Sequence, residues 1–179
     1  MERLIMKRFS AKKLTSAALA IALVCISTAI IHIPIPLGYM HLGNICILLC
    51  SYLFPWDIGL LAGGVGSALS DLLTGYPQWV LPTLIIKGIM GYAGSKVTHA
   101  GKTPARMLSA RTFIGAVVSI VIMIAGYTIA GGIMYGSVAT GLAQVPGLTT
   151  EGIIGIIGFY ILGFVMEKCH VSKFISEGV

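Results

Sequence analysis

The positions of the basic residues constrain this chain more than any other feature of its sequence. Eleven of its twelve Lys and Arg residues fall into three clusters, which long apolar stretches separate. The clusters are Arg3, Lys7, Arg8, Lys12 and Lys13; Lys96, Lys102, Arg106 and Arg111; and Lys168 and Lys173. The segments 32–41, 74–81 and 136–150 contain no Lys or Arg. Because basic residues concentrate on the cytoplasmic side of membrane proteins, this alternation predicts an even number of spans with both termini in the cytoplasm.

The composition agrees with a membrane-embedded chain. Of its 179 residues, 56% are hydrophobic and only 10% are charged, whereas soluble domains carry roughly 25% charged residues. Most of the surface is therefore expected to face lipid. The net charge of +6 lies at predicted helix ends, where anionic lipid is the expected partner rather than nucleic acid. We expect one all-α transmembrane domain over residues 1–179.

Apolar runs and their breakers predict six transmembrane helices. Pro34 and Pro36 end the first helix, Pro55 ends the second, and Asp57 is the predicted N-cap of the third. The expected ranges are 14–33, 42–54, 58–74, 80–97, 112–135 and 150–167. The segments 34–41, 75–79 and 136–149 would then lie outside the cell, and segment 34–41 is a candidate lid over a binding site.

Asp71 and Lys87 are the two ionisable residues that we assign to the interior of predicted spans. A charge near the bilayer centre costs at least ~2.5–3.5 kcal/mol and is usually paired and functional. Helices 3 and 4 are antiparallel about Pro77, so the backbones of Asp71 and Lys87 differ in depth by ~6 Å. They are expected to line a pocket or to pair with each other. In the alternative, Lys87 extends to the outer headgroups and Asp71 lies at the interface.

Polar and aromatic residues gather at the same predicted ends of the helices. Aromatic walls with a few hydrogen-bonding groups suit a flat heterocycle. The alternative for Tyr76, Trp79 and Tyr135 is the aromatic belt of any membrane interface. The full set of candidate substrate-binding residues is His41, Asn44, Asp71, Tyr76, Gln78, Trp79, Lys87, Tyr127 and Tyr135, with Gln144 beside them.

The sequence carries no signature of catalysis. There is no Walker A motif, HExxH or GxSxG pattern and no tight acidic cluster for divalent metals. We therefore expect no catalytic residues, no bound metal and no resident cofactor. An intramembrane enzyme is the least favoured class, behind a binding subunit and a self-sufficient carrier or channel.

Two regions of the chain resemble the S components of energy-coupling-factor (ECF) vitamin transporters. The first is the small-residue face of helix 1, made of Ser16, Ala17, Ala18, Ala20 and Ala22. The second is the stretch Gly66–Tyr76, which continues through Trp79 and Pro82 to Lys87-Gly88. The resemblance spans nearly the whole chain and is greatest to the group assigned to hydroxymethylpyrimidine or pyridoxine-like compounds. Riboflavin, pantothenate and other vitamins remain open.

The resemblance implies a substrate-capture subunit in a prokaryotic plasma membrane. Such a subunit binds a vitamin in an outward-facing pocket and associates with a transmembrane coupling protein and two cytoplasmic ATPases, which hydrolyse the ATP. It is thought to topple in the membrane to release its substrate inward. The contact for the coupling protein carries over to Ala18 and Ala22, with Ser16 and Ala20 as the alternative register. A self-sufficient carrier or channel that is not coupled to ATPases is the alternative function.

Overall fold

The computed structural model describes residues 11–30, 33–35, 38–101 and 106–169, and of 33–35 and 38–40 it describes only the backbone. Arg3, Lys7, Arg8, Lys102 and Lys173 of the basic clusters, and residues 36 and 37 of the candidate lid, lie outside the described residues. The rest of the lid segment contains an antiparallel hairpin, in which Pro34 is paired with Tyr39 and the second strand lies beside the last helix.

The described part is a bundle of helices around a short central helix. Its elements are α1 (Ala11–Ile30), β1 (Ile33–Ile35), β2 (Gly38–Met40), α2 (Gly43–Leu53), α3 (Trp56–Leu61), a π-helical turn (Ala62–Gly66), α4 (Ser67–Leu73), a 3-10 helix (Pro77–Trp79), α5 (Val80–Thr98), α6 (Ala110–Met134), α7 (Val138–Ala143) and α8 (Val145–Lys168). The residues from Gly43 to Tyr52 are all buried, so α2 is shielded by protein on every side.

The α3–α4 helix is continuous through its π-helical turn and packs backbone to backbone against α5. A Cβ added at Gly64 would stand 2.8 Å from the Leu84 carbonyl oxygen, and one at Gly63 would overlap the carbonyl oxygen of Lys87. Glycine permits this close approach because it has no Cβ. The contact fixes the depth of Lys87 in the bundle.

Three details of the helices differ from the sequence prediction. Asp57 is not the N-cap of the third helix: Pro55 takes that position, and Asp57 lies in the first turn, where it is paired with Lys13. The last helix begins at Val145 rather than near residue 150, and α7 was not predicted. Pro146 lies within the predicted outer segment 136–149, but in the structure it falls in the first turn of α8, where a missing N–H removes no hydrogen bond.

The outer surface of the bundle is apolar. Leu19, Leu81, Ile133 and Ile161 are all at least 60% exposed, as expected of side chains that face lipid. Three described segments are long and apolar enough to cross a membrane, namely Ala11–Ile30, Ala110–Met134 and Val138–Lys168, and Gly43–Leu53 is a shorter apolar helix. The number of spans, six, stays a prediction.

The bundle has two ends that differ in character. The hairpin end carries β1–β2, the 3-10 helix Pro77–Trp79 and α7. The opposite end carries the turn at Pro55 and the start of α6, where Ser109 accepts a hydrogen bond from the Thr112 amide. At that end Glu167 accepts hydrogen bonds from the Tyr52 hydroxyl and the Met107 amide.

Candidate functional site

A polar cluster lies inside the bundle toward the hairpin end. Asn44 of α2, Lys87 of α5, Met123 of α6 and Glu151 of α8 meet there, and each is at most 4% exposed. Four helices therefore contribute one side chain each. Burying polar groups this completely is costly unless they bond to one another, so their mutual contacts decide what the cluster can do.

Lys87 is held by three of its neighbours. Its amino group donates to Asn44 Oδ1, and it lies 3.3 Å from Met123 Sδ and 3.8 Å from Glu151 Oε1. Glu151 is thus an ion-pair partner of Lys87. The sequence suggested Asp71 as the partner of Lys87 and did not consider Glu151. Asp71 is also buried, and its charge acts on Lys87 as well.

Asn44 links the other members of the cluster. Its Nδ2 donates to Glu151 Oε1 over 2.7 Å and to Met123 Sδ over 3.0 Å, while its Oδ1 accepts from Lys87. These three bonds set the orientation of the amide. A Cβ added at Gly155 would stand 3.0 Å from the Asn44 Cβ, so the absence of a side chain there brings α8, and Glu151 with it, close to Asn44.

His41 extends the cluster toward the hairpin. Its Nδ1 accepts a 3.0 Å hydrogen bond from the Gly43 amide, and its Nε2 lies 3.5 Å from Glu151 Oε1. An imidazole that accepts at Nδ1 carries its proton on Nε2. His41 and Asn44 therefore both direct N–H groups at one carboxyl oxygen, and the Lys87 ammonium lies 3.8 Å from the same oxygen.

Aromatic side chains form a wall on the α6 side of the cluster. The Tyr127 ring centroid lies 5.4 Å from Lys87 Nζ, and the Tyr127 hydroxyl donates to Thr83 over 3.0 Å. Trp79 is 5.6 Å from the Tyr127 ring and 6.3 Å from that of Tyr135. Trp79 is 7% exposed and Tyr135 is 44% exposed, so the wall runs from the buried cluster to the surface.

The remaining predicted site residues lie on or beside α4, the 3-10 helix and α7. Asp71 is buried in α4, and its carbonyl oxygen accepts a hydrogen bond from the amide of half-buried Tyr76. Gln78 is exposed on the 3-10 helix. The buried Gln144 side chain lies against Gly131 of α6. The structure thus brings His41, Asn44, Lys87 and Tyr127 into contact and joins Trp79 and Tyr135 to them through Tyr127.

Sequence reasoning missed two members of the cluster. Glu151 lies at the predicted boundary of the sixth helix, so it was not counted as intramembrane, although a carboxylate beside an apolar run was a usable signal. Met123 stands in the run Ile120–Ala125, where nothing distinguishes it from a packing residue.

The face of α1 that was assigned to a partner points away from the bundle. Ala18 and Ala22 are exposed, whereas Ala17 and Ala20 are buried. Ser16 is half-buried, so the alternative register of Ser16 and Ala20 points largely into the fold. Ala18 and Ala22 therefore form the small-residue surface that is open to another helix.

The apolar outer surface and the buried polar cluster are together typical of a membrane protein that holds a small polar molecule between its helices. The sequence profile of the family described as "ECF-type riboflavin transporter, S component" matches residues 8–168. The chain belongs to this family of vitamin-type membrane transporters.

Two relatives resemble the chain over most of its length. An uncharacterized protein in the gap 3′ region of Pyrococcus woesei is 35% identical over 151 residues, which cover 81% of this chain and 95% of that protein. The thiamine precursor transporter HmpT of Lactococcus lactis subsp. cremoris (strain MG1363) is 31% identical over 163 residues, which cover 88% of this chain and 84% of that protein.

Proposed function

We propose that this chain captures a small vitamin or vitamin precursor for an ECF-type ABC importer. It crosses a prokaryotic plasma membrane six times with both termini in the cytoplasm, and its hairpin end faces outside. The buried contact of Lys87, Asn44 and Glu151 carries the proposal, because intramembrane ionisable groups are rarely retained without a functional role. Family membership and the basic residues at the predicted cytoplasmic ends support it.

The favoured substrate is hydroxymethylpyrimidine, with a pyridoxine-like compound next. Both are single aromatic rings that carry hydrogen-bond donors and acceptors on their edges, and the cluster offers both kinds of group beside the Tyr127 ring. The similarity to a thiamine precursor transporter points the same way. The name of the family makes riboflavin the first compound to compare.

Delivery would depend on partner proteins. A transmembrane coupling protein docks on the exposed Ala18 and Ala22, because small residues let two membrane helices approach closely. Two cytoplasmic ATPases supply the energy, and the capture subunit topples to release its substrate inward. The chain itself needs no cofactor and performs no catalysis in this scheme.

Two measurements test the proposal. Mass spectrometry of small molecules that co-purify with the protein, followed by calorimetric titration of hydroxymethylpyrimidine, pyridoxine and riboflavin, should identify a tightly bound vitamin. Co-expression with a coupling protein and ATPases should yield one complex, and uptake should require ATP. ATP-independent flux by the chain alone in liposomes would instead establish the alternative, a self-sufficient carrier or channel.

A further inference from the structure

The thioether of Met123 occupies an unusual place in the polar cluster. Its sulfur accepts from Asn44 Nδ2 at 3.0 Å and from Lys87 Nζ at 3.3 Å. A thioether is a weak acceptor, yet here it serves two strong donors in a fully buried position. Oxygen or ring nitrogen at the same point would be a better partner for both.

Lys87 in particular has more N–H groups than strong hydrogen-bond acceptors around it. Its ammonium form has three N–H groups, and among the described residues the one oxygen that accepts a hydrogen bond from it is Asn44 Oδ1. Glu151 Oε1, at 3.8 Å, is beyond normal hydrogen-bond length. A stronger acceptor in place of the sulfur would therefore improve the bonding of Lys87 as well as that of Asn44.

Met123 can leave its position more easily than any other member of the cluster. Methionine is unbranched and has three rotatable side-chain bonds, so it adapts to different packing arrangements. Met123 also lies one helical turn from Tyr127, on the same face of α6. A ligand that follows the aromatic wall from Tyr135 and Trp79 inward arrives at Met123.

We propose that Met123 is a displaceable plug, and that the ligand puts an acceptor atom where the Met123 sulfur stands. This inference rests on the proposed function and narrows its substrate class. The ligand is an uncharged heteroaromatic ring whose acceptor receives hydrogen bonds from Asn44 and Lys87, while a neighbouring amino or hydroxyl group donates to Glu151. Ligands that bear a carboxylate or phosphate at this point are disfavoured, because Glu151 already offsets the charge of Lys87 and would repel a second anion.

Two substitutions with opposite expected effects test the plug. Met123→Leu keeps the approximate volume and removes the acceptor, whereas Met123→Gln supplies an amide oxygen on a side chain of similar length. Met90→Leu is the matched control, since Met90 is also fully buried and an apolar swap of this kind is tolerated. The melting temperature without added ligand and the Kd for hydroxymethylpyrimidine are measured for each variant.

The Leu variant should melt at least ~2 °C below the Met90→Leu control, because two buried donors lose their acceptor. Its Kd should stay within about threefold of wild type or fall, because the ligand restores that acceptor. The Gln variant should melt no lower than wild type and bind about tenfold more weakly, because its own oxygen competes with the ligand.

Other outcomes would separate the inference from the proposed function. If the wild-type protein binds hydroxymethylpyrimidine but both Met123 variants lose stability and affinity together, Met123 is a packing residue and the plug is wrong. Loss of affinity in the Leu variant at unchanged stability would mean that the sulfur contacts the ligand, which also contradicts displacement. If the wild-type protein binds riboflavin or another vitamin and not the pyrimidine, the substrate class is wrong while the capture function stands. If it binds no vitamin, both proposals fail.

Discussion

Asn44 and Glu151 are 107 positions apart in the chain, and a 2.7 Å hydrogen bond joins them in the interior of the bundle. The bond connects the first turn of the central helix α2 to the first part of the last helix α8. It also positions the carboxyl group beside Lys87 and His41. Any movement that separates α2 from α8 must break this bond, so a ligand bound at this cluster would be coupled to the packing of α2 against α8.

Glu151→Gln should weaken ligand binding more than the replacement of any other described Asp or Glu by its amide. The glutamine oxygen can still accept from Asn44, but Lys87 loses the charge that faces it at 3.8 Å. We expect a Kd at least about tenfold higher, the effect of about 1.4 kcal/mol. Calorimetric titration of hydroxymethylpyrimidine measures it.

Glu167→Gln is the control for that prediction. Glu167 also accepts hydrogen bonds from side-chain and backbone donors, but it does so at the opposite end of the bundle. Its replacement should leave the Kd within about twofold of wild type. Equal losses of affinity in the two variants would argue against a binding role for Glu151.

Lys87 and Glu151 should be energetically coupled. Either Lys87→Met or Glu151→Gln alone leaves one buried member of the pair without its partner, whereas the double variant removes both. We expect the double variant to be at least ~1 kcal/mol more stable than the sum of the single losses predicts. Unfolding in mixed micelles measures the three variants against wild type. Additive losses would show that the pair contributes nothing beyond its separate members.

Gly91→Ala should destabilise the protein strongly, and Gly88→Ala on the same helix should not. A Cβ at Gly91 would collide with the backbone of Gly59, whereas at Gly88 the nearest atom, the Gly64 Cα, is 3.7 Å away. Backbone cannot move aside as a flexible side chain can. The melting temperature should fall by several degrees for Gly91→Ala, as for a loss of ~2 kcal/mol or more. Similar melting temperatures for the two variants would contradict the close packing of α3 on α5.

Ala22→Leu should abolish assembly with the coupling protein and leave ligand binding intact. Ala22 is exposed on α1, and a leucine there would hold a partner helix away. Leu23→Phe, on a neighbouring exposed position of the same helix, is the control. Co-purification with the coupling protein and ATPases reports assembly, and calorimetry reports binding. Intact complexes with Ala22→Leu would place the coupling contact elsewhere.

His99 should make the protein less stable as the pH falls below about 6.5, the ordinary pKa of histidine. Although His99 is exposed, partial desolvation lowers its pKa in the folded protein, and the nearby backbone of Ser51 and Tyr52 acts in the opposite direction. The unfolded chain therefore takes up the proton first, and the free energy of unfolding falls between that pH and the lower folded pKa. Melting temperatures at pH 7.5 and pH 5.5 should differ less for His99→Asn than for wild type. Identical differences would remove His99 as a source of acid sensitivity.

The sequence predicted more of the helices than of the site. Apolar runs and proline breakers placed helical segments close to where the structure has them, because hydrophobic length and breakers act locally. The start of α8 was misplaced because Pro146 is compatible with both a loop and a first helical turn. The π-helical turn at Ala62–Gly66 had no local signal, since it depends on the approach of α5 to the glycines.

The candidate site residues were chosen where polarity stood out against an apolar background. His41, Asn44 and Lys87 are visible for that reason, and the structure brings all three to Glu151. Which carboxylate faces Lys87 could not be read from spacing, because Asp71 and Glu151 are both compatible with its depth. Met123 acquires its role through contacts from two other helices, and no local pattern carries that information.

The glycine contact between the α3–α4 helix and α5 restricts where ligand preference can change. Gly63 and Gly64 meet the main chain of α5 directly. Lys87 therefore stands at a backbone-to-backbone contact, which exchanging side chains cannot repack. Attempts to retune this protein toward a different vitamin are therefore best directed at the cluster positions on α6 and α8, with the lysine kept as a constant reference point.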